Sequence, residues 1–189
     1  MKIKISPAAI AVLAFALVLD ESGRAFLLFV SLFFHELFHI LAMKVCRRKI
    51  AKINVKLPAL EITCCPSVRG YSSGSSAFIA LAGPAANLLL AALSLAFIGW
   101  NADYFRACNL SLAAVNLLAL RGNDGYFALE AVLSAHAGKR TAGAILRVLD
   151  MLSLILLWAF SVCAMLTYSN NLSPLILCVF VFASISERE

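Results

Sequence analysis

An apolar run from residue 25 to 45, long enough to cross a bilayer, carries His35-Glu36-Leu37-Phe38-His39 within it. About 20 residues rising ~1.5 Å each span the hydrocarbon core, so the run is expected to be a transmembrane helix. On such a helix, imidazoles at i and i+4 sit about 40° apart and one turn along, within reach of one ion. Glu36 stands alongside, placed to take a proton from water. H-E-x-x-H on a helix is the pattern of a zinc site whose glutamate works as general base and later as acid. A histidine in an apolar helix is more often core than ligand, but this chain has 3 histidines and two fall at this spacing around a glutamate. Ionisable groups inside lipid cost kilocalories unless they face a cavity and find partners, so they default to functional candidates.

At 62% hydrophobic and 14% charged, the 189 residues read as an integral membrane protein. The length suits one membrane domain over residues 1–189, with no appended soluble module. Six apolar runs are candidate spans: about 5–19, 25–45, 77–99, 107–123, 148–168 and 172–186. The expected fold class is thus all-α and polytopic, with a small β-hairpin between the second and third spans. Lys2 and Lys4 before the first run resemble a signal peptide, but its Asp20-Glu21-Ser22-Gly23-Arg24 exit lacks a small-x-small cleavage site. The six cysteines, Cys46, Cys64, Cys65, Cys108, Cys163 and Cys178, form no C-x-x-C pair and read as free thiols.

With the N-terminus inside, all the Lys and Arg residues except Arg24 and Arg106 fall on the cytoplasmic side. That distribution accounts for the net charge of +6 through anionic lipid and leaves no need for nucleic acid as a partner. Lys44 follows His39 by five residues, so the metal is expected about 7 Å below the cytoplasmic boundary at ~1.5 Å per residue. A catalytic zinc takes three protein ligands and a water. The candidates for the third are Asp124, Glu130, His136, Asp150, Glu61 and the cysteines. Asp124 is favoured because the fourth span returns to the cytoplasmic side there, and Gly125 lets the helix break behind it. Asp150 lies three residues from Arg147 on one helical face and reads as an ion-pair partner. Glu130 and His136 lie in a polar interhelical stretch with Gly138, Lys139 and Arg140 and read as solvated.

Ile53, Val55 and Leu57 alternate with Asn54 and Lys56, and Leu60 and Ile62 flank Glu61. This period-two pattern, interrupted at Pro58-Ala59, is the expected hairpin. It reads as a cap on the bundle or as an edge to which an extended substrate strand is added. Gly83-Pro84 interrupts the third span and permits a kink. Asn87 and Asn116 are read two ways: as hydrogen bonds between helices, or as groups positioning a substrate backbone near the metal.

Three motifs, in order, resemble those of the site-2 protease family, closest to its compact sporulation-type intramembrane members. They are His35-Glu36-Leu37-Phe38-His39; Ala82-Gly83-Pro84-Ala85-Ala86-Asn87; and Asn116-Leu117-Leu118 with Asp124-Gly125. The resemblance covers the whole six-helix core. It implies one zinc ion per chain held by His35, His39 and Asp124, with Glu36 catalytic, and cleavage of a peptide bond in or near a transmembrane segment. The implied partner is a membrane-bound protein substrate such as a transcription-regulator precursor, and the implied setting a bacterial plasma membrane with both termini and the site toward the cytoplasm. Relatives commonly carry two prolines and a hydrophobic residue before the aspartate, where Ala119, Gly122 and Asn123 stand here. The nucleotide-binding and inserted peptide-binding modules of some relatives have no counterpart.

Two other readings compete. A metal transporter would need polar residues continuing across the membrane, and the outer halves of the spans are almost wholly apolar. A catalytically silent zinc-binding partner protein would not need Glu36, which is present.

Overall fold

The computed structural model describes residues 2–5, 7, 14, 15, 17–55, 60–64, 72–96, 99 and 101–167. The chain forms two compact units, Met1–Asn116 and Leu117–Glu189.

In the first unit, three short extended segments make a sheet in the order β1 (Lys2–Ile5), β2 (Ile50–Val55), β3 (Leu60–Cys64). β1 runs parallel to β2 with Ile3 opposite Ile53, and β2 runs antiparallel to β3 with Ile53 opposite Ile62. Lys2-Ile3-Lys4-Ile5 alternates with the strand period, so the chain opens on a strand before the apolar run begins. Most of the expected first span, 5–19, lies outside the described residues, as do residues 56–59 that would close the expected β-hairpin.

Helix α1 (Arg24–Val45) matches the second expected span to within one residue. Its start is set by Gly23, at φ 69°, and by the Asp20 carboxylate, which accepts from the Ala25 amide in the first turn. Ser31, His35, His39 and Ala42 are its buried residues, and their spacing places them on one face. That face packs on α2 (Ser73–Leu93), which buries Ala77, Ala80, Gly83, Ala86 and Ala91, small residues that let two helices approach closely. Ser72 caps α2 by accepting from the Ser75 amide at 3.2 Å. A 3-10 turn, Ser94–Ala96, continues it.

Helix α3 spans Ala102–Leu117, not 107–123. Apolarity continues through Leu118 and Leu120, but the backbone turns: Asn123 donates to the Leu120 carbonyl at 2.9 Å and Gly122 adopts φ 102°. An apolar run reports burial, not helicity.

In the second unit, α4 covers Asp124–Thr167 and is interrupted at Gly138, whose φ of 78° and ψ of 157° no helix contains. Residues 130–137 are therefore helical, where sequence suggested an interhelical stretch, and only Gly138 breaks the chain. Leu120 and Leu157 form a small core with Leu118 and Leu154 against them. The expected sixth span, 172–186, lies outside the described residues. Among those described, three segments are long and apolar enough to cross a membrane: Arg24–Val45, Ser73–Ala96 and Asp124–Thr167. The exposed sides of these helices carry Phe26, Phe33, Phe78, Met151 and Phe160, the surface a bilayer would cover.

Candidate metal centre

His35 and His39 lie one turn apart on α1, both buried, with ring centroids 4.8 Å apart. Each ring is held by its Nδ1. His39 Nδ1 donates to the Ile79 carbonyl on α2 at 2.7 Å, and a carbonyl can only accept, so His39 carries its proton there. His35 Nδ1 donates to Asn87 Oδ1 at 2.8 Å. The two Nε2 atoms face each other at 3.2 Å. That distance suits one ion. Two nitrogens at 2.0–2.1 Å from a tetrahedral zinc stand about 3.3 Å apart. A buried Nδ1–H anchored on a carbonyl or amide oxygen is the usual outer support of a metal-binding imidazole.

Gly83 makes the space for this pair. A Cβ there would lie 2.3 Å from His39 Nε2 and 2.7 Å from His35 Nε2. Any side chain at 83 would collide with the two rings. The glycine of Gly83-Pro84 thus serves close approach, beyond the kink read from sequence. Glu36 follows His35 on α1 and is half-buried.

Asn87 is fully buried, and besides holding His35 it donates through Nδ2 to Asn109 Oδ1 on α3 at 3.2 Å. Asn109 in turn donates to Ser31 Oγ on α1 at 2.9 Å. Sequence reading passed over Ser31 and Asn109; for Asn109 the available signal was a carboxamide within an apolar helix, the same one that singled out Asn87. Asn116, half-buried at the end of α3, donates to the Leu112 carbonyl of its own helix at 2.9 Å.

In the second unit, Asp124 is half-buried and opens α4, where a carboxylate is favoured by the helix dipole. Gly125 does not break that helix, as sequence suggested; it lies within the first turn, and the break falls before it at 118–123. A Cβ on Gly125 would stand 2.2 Å from the Leu117 carbonyl oxygen, so the glycine lets the preceding backbone cross the start of α4. Asp150 is buried and accepts from the Arg121 amide at 2.9 Å, tying down the turn that leads to Asp124, a use that its spacing from Arg147 did not suggest. Glu130 and His136 are exposed, and His136 Nδ1 donates to the Val132 carbonyl of its own helix at 2.8 Å. Glu61 lies on β3. Cys46, Cys108 and Cys163 are free thiols.

The long apolar helices define an integral membrane protein, with a buried, preorganised imidazole pair facing inward from one of them. No protein-family model matches the chain, and no curated protein matches its sequence. Among solved structures, the site-2 protease from Methanocaldococcus jannaschii superimposes with a TM-score of 0.64 over 98% of this chain and 89% of that one, at 21% identity. The chain therefore has the fold of a site-2 protease.

Proposed function

We propose that the chain is a zinc-dependent intramembrane endopeptidase that hydrolyses a peptide bond in or near a transmembrane segment of a membrane-bound protein. The observation that carries this reading is the pair of Nε2 atoms 3.2 Å apart, with both Nδ1 atoms held by fixed oxygens and Glu36 on the same helix. His35 and His39 supply two ligands. Asp124 is proposed as the third: it has the right donor chemistry, and it opens the helix that follows the Asn116-Leu117-Leu118 motif. Zinc held by these residues would polarise the scissile carbonyl and make water a stronger acid, which is the chemistry peptide hydrolysis needs at neutral pH.

The chain's own residues do the rest. Glu36 accepts a proton from the attacking water as oxygen bonds to the carbonyl carbon. It returns that proton to the amide nitrogen as the C–N bond breaks, and the remaining acid proton passes to the amine, leaving a carboxylate and an ammonium group. A transmembrane substrate hides its carbonyls in helical hydrogen bonds, so it must unwind before attack. The outer edge of β3 is proposed to pair with the unwound segment and hold it extended. Asn87 and Asn116 are proposed to sit close to that path, Asn87 acting through His35. The site is proposed to open toward the cytoplasm with both termini on that side, following the distribution of basic residues. Membrane-tethered precursors of transcription regulators are the proposed substrate class.

Co-expression with a panel of single-span substrates tests this reading. Wild type is expected to yield product, and Glu36→Gln and Asp124→Asn to yield none. Product that persists in Glu36→Gln would sink the mechanism, and product that persists in Asp124→Asn would remove Asp124 from the ligand set.

A further inference from the structure

The hydrogen bonds behind His35 form a directed chain. Its far end is a pair of backbone carbonyls, which can only accept. Ser31 Oγ donates to the Leu27 carbonyl at 2.9 Å, so its oxygen is left to accept. Asn109 Nδ2 donates to that oxygen at 2.9 Å and to the Phe105 carbonyl at 2.9 Å, which uses both its protons. Asn109 must then present Oδ1, and Oδ1 accepts from Asn87 Nδ2 at 3.2 Å. Asn87 in turn must present Oδ1 to His35, and Oδ1 accepts the Nδ1 proton at 2.8 Å. Every orientation along the path follows from the one before it, so the chain admits no reversed amide without an unsatisfied buried group. Ser31, Asn87 and Asn109 are each 0% exposed, so water cannot replace a missing partner.

We infer that Asn109, supported by Ser31, is a positioning residue for the metal centre: it fixes the direction of the Asn87 amide and thereby the His35 tautomer that presents Nε2, and not Nδ1, to the ion. The inference rests on the reading of His35 and His39 as zinc ligands and extends it to a residue on a third helix. His39 needs no such relay, because its Nδ1 meets the Ile79 carbonyl directly. If Asn87 turned over, its NH2 would face Nδ1. His35 would then have to accept at Nδ1 and carry its proton on Nε2, where it blocks the metal. Asn109 is what makes that turn costly.

The test is zinc affinity of the purified full-length chain in detergent, read by competition with a chromophoric chelator and independent of any substrate. Asn109→Leu keeps the side-chain size and removes both the acceptor and the donors. It is expected to weaken zinc binding about ten- to a hundredfold, the range for loss of outer support to a metal ligand. Ser31→Ala leaves the Phe105 carbonyl to orient Asn109 and is expected to weaken binding only a few-fold. The deciding arm is the double variant. Asn87→Asp gives His35 an acceptor whichever way the side chain is turned, so adding Asn109→Leu in that background is expected to cost no further affinity. An equal loss from Asn109→Leu in both backgrounds would assign Asn109 to packing alone and overturn the inference, as would wild-type affinity in both Asn109→Leu and Ser31→Ala. If Asn109→Leu does not fold, Ser31→Ala decides in its place, and its weakening must likewise vanish in the Asn87→Asp background. A wild-type chain that takes up no zinc fails differently, since it removes the metal reading itself.

Discussion

His35 and His39 present their Nε2 atoms to each other at 3.2 Å across the space that a Gly83 side chain would fill. Two imidazole nitrogens at that distance, one turn apart on a helix, are spaced to share one zinc ion. Purified protein is therefore expected to carry one zinc per chain by metal analysis. His35→Ala or His39→Ala should lower affinity at least a hundredfold, or about 2.8 kcal/mol at 1.4 kcal/mol per decade. Glu36→Gln should keep the zinc and lose product formation by at least about a hundredfold, at the low end for a general base. Exhaustive chelation should abolish activity and added zinc restore it. A Glu36→Gln variant that loses its metal would move Glu36 from proton transfer to ligation.

Gly83→Ala tests the space itself. The added methyl would meet His39 Nε2 at 2.3 Å and His35 Nε2 at 2.7 Å. Both rings are pinned at Nδ1, so neither can swing aside without giving up a buried hydrogen bond. Zinc affinity is expected to fall at least about fivefold, since one such hydrogen bond is worth roughly 1 kcal/mol or more. Gly74→Ala on the same helix meets nothing within 4 Å and is the matched control, with affinity unchanged. Equal affinities in the two variants would show that the imidazoles do not occupy this position when the metal is bound.

Asp20 gives the protein an acid-side dependence away from the site. Its carboxylate is held below the ordinary carboxylate range, chiefly by the Ser22 hydroxyl and then by the Ala25 amide at the start of α1. A depressed folded pKa contributes stability that is fully present above the unfolded value of about 3.9 and is lost as pH falls through the folded value. Melting temperature in detergent is expected to decline below pH 4 more steeply for wild type than for Asp20→Asn. Ser22→Ala should remove most of the difference. Parallel curves for wild type and Asp20→Asn would show that Asp20 does not contribute.

The imidazole pair was legible in the sequence because an i, i+4 spacing on a helix is fixed by helical geometry alone, whatever surrounds it. α1 was legible for the same reason: an apolar run of spanning length has few other structures in lipid. Most of what supports the site was not. Gly83 and Gly125 matter through atoms distant in sequence, and Ser31 and Asn109 are joined only when three helices pack. The end of α3 was misplaced because Leu118 and Leu120 are as apolar as the helix before them, while the turn is decided by Gly122. The alternating Lys2-Ile3-Lys4-Ile5 carried its strand signal openly, but Lys2 and Lys4 were read as charge ahead of an apolar run that began at Ile5.

The turn before Asp124 is fastened at two points that can be loosened separately. Asp150 accepts the Arg121 amide from within the second unit, and Gly125 allows the Leu117 carbonyl to pass where a Cβ would come within 2.2 Å. Asp150→Ala leaves a backbone donor without its acceptor, at a cost of about 1–3 kcal/mol, whereas Asp150→Asn keeps an oxygen in place. Gly125→Ala drives a methyl into backbone that has no rotamer to yield, for about 1–3 kcal/mol or more. If Asp124 is the third ligand, both Asp150→Ala and Gly125→Ala should reduce zinc affinity along with thermal stability, while Asp150→Asn retains most of each. If it is not, the same variants should melt earlier yet bind zinc as wild type does. Measuring melting and zinc competition on one preparation of each variant separates the two outcomes, because only a ligand role couples a strained turn in the second unit to the affinity of an ion held by His35 and His39.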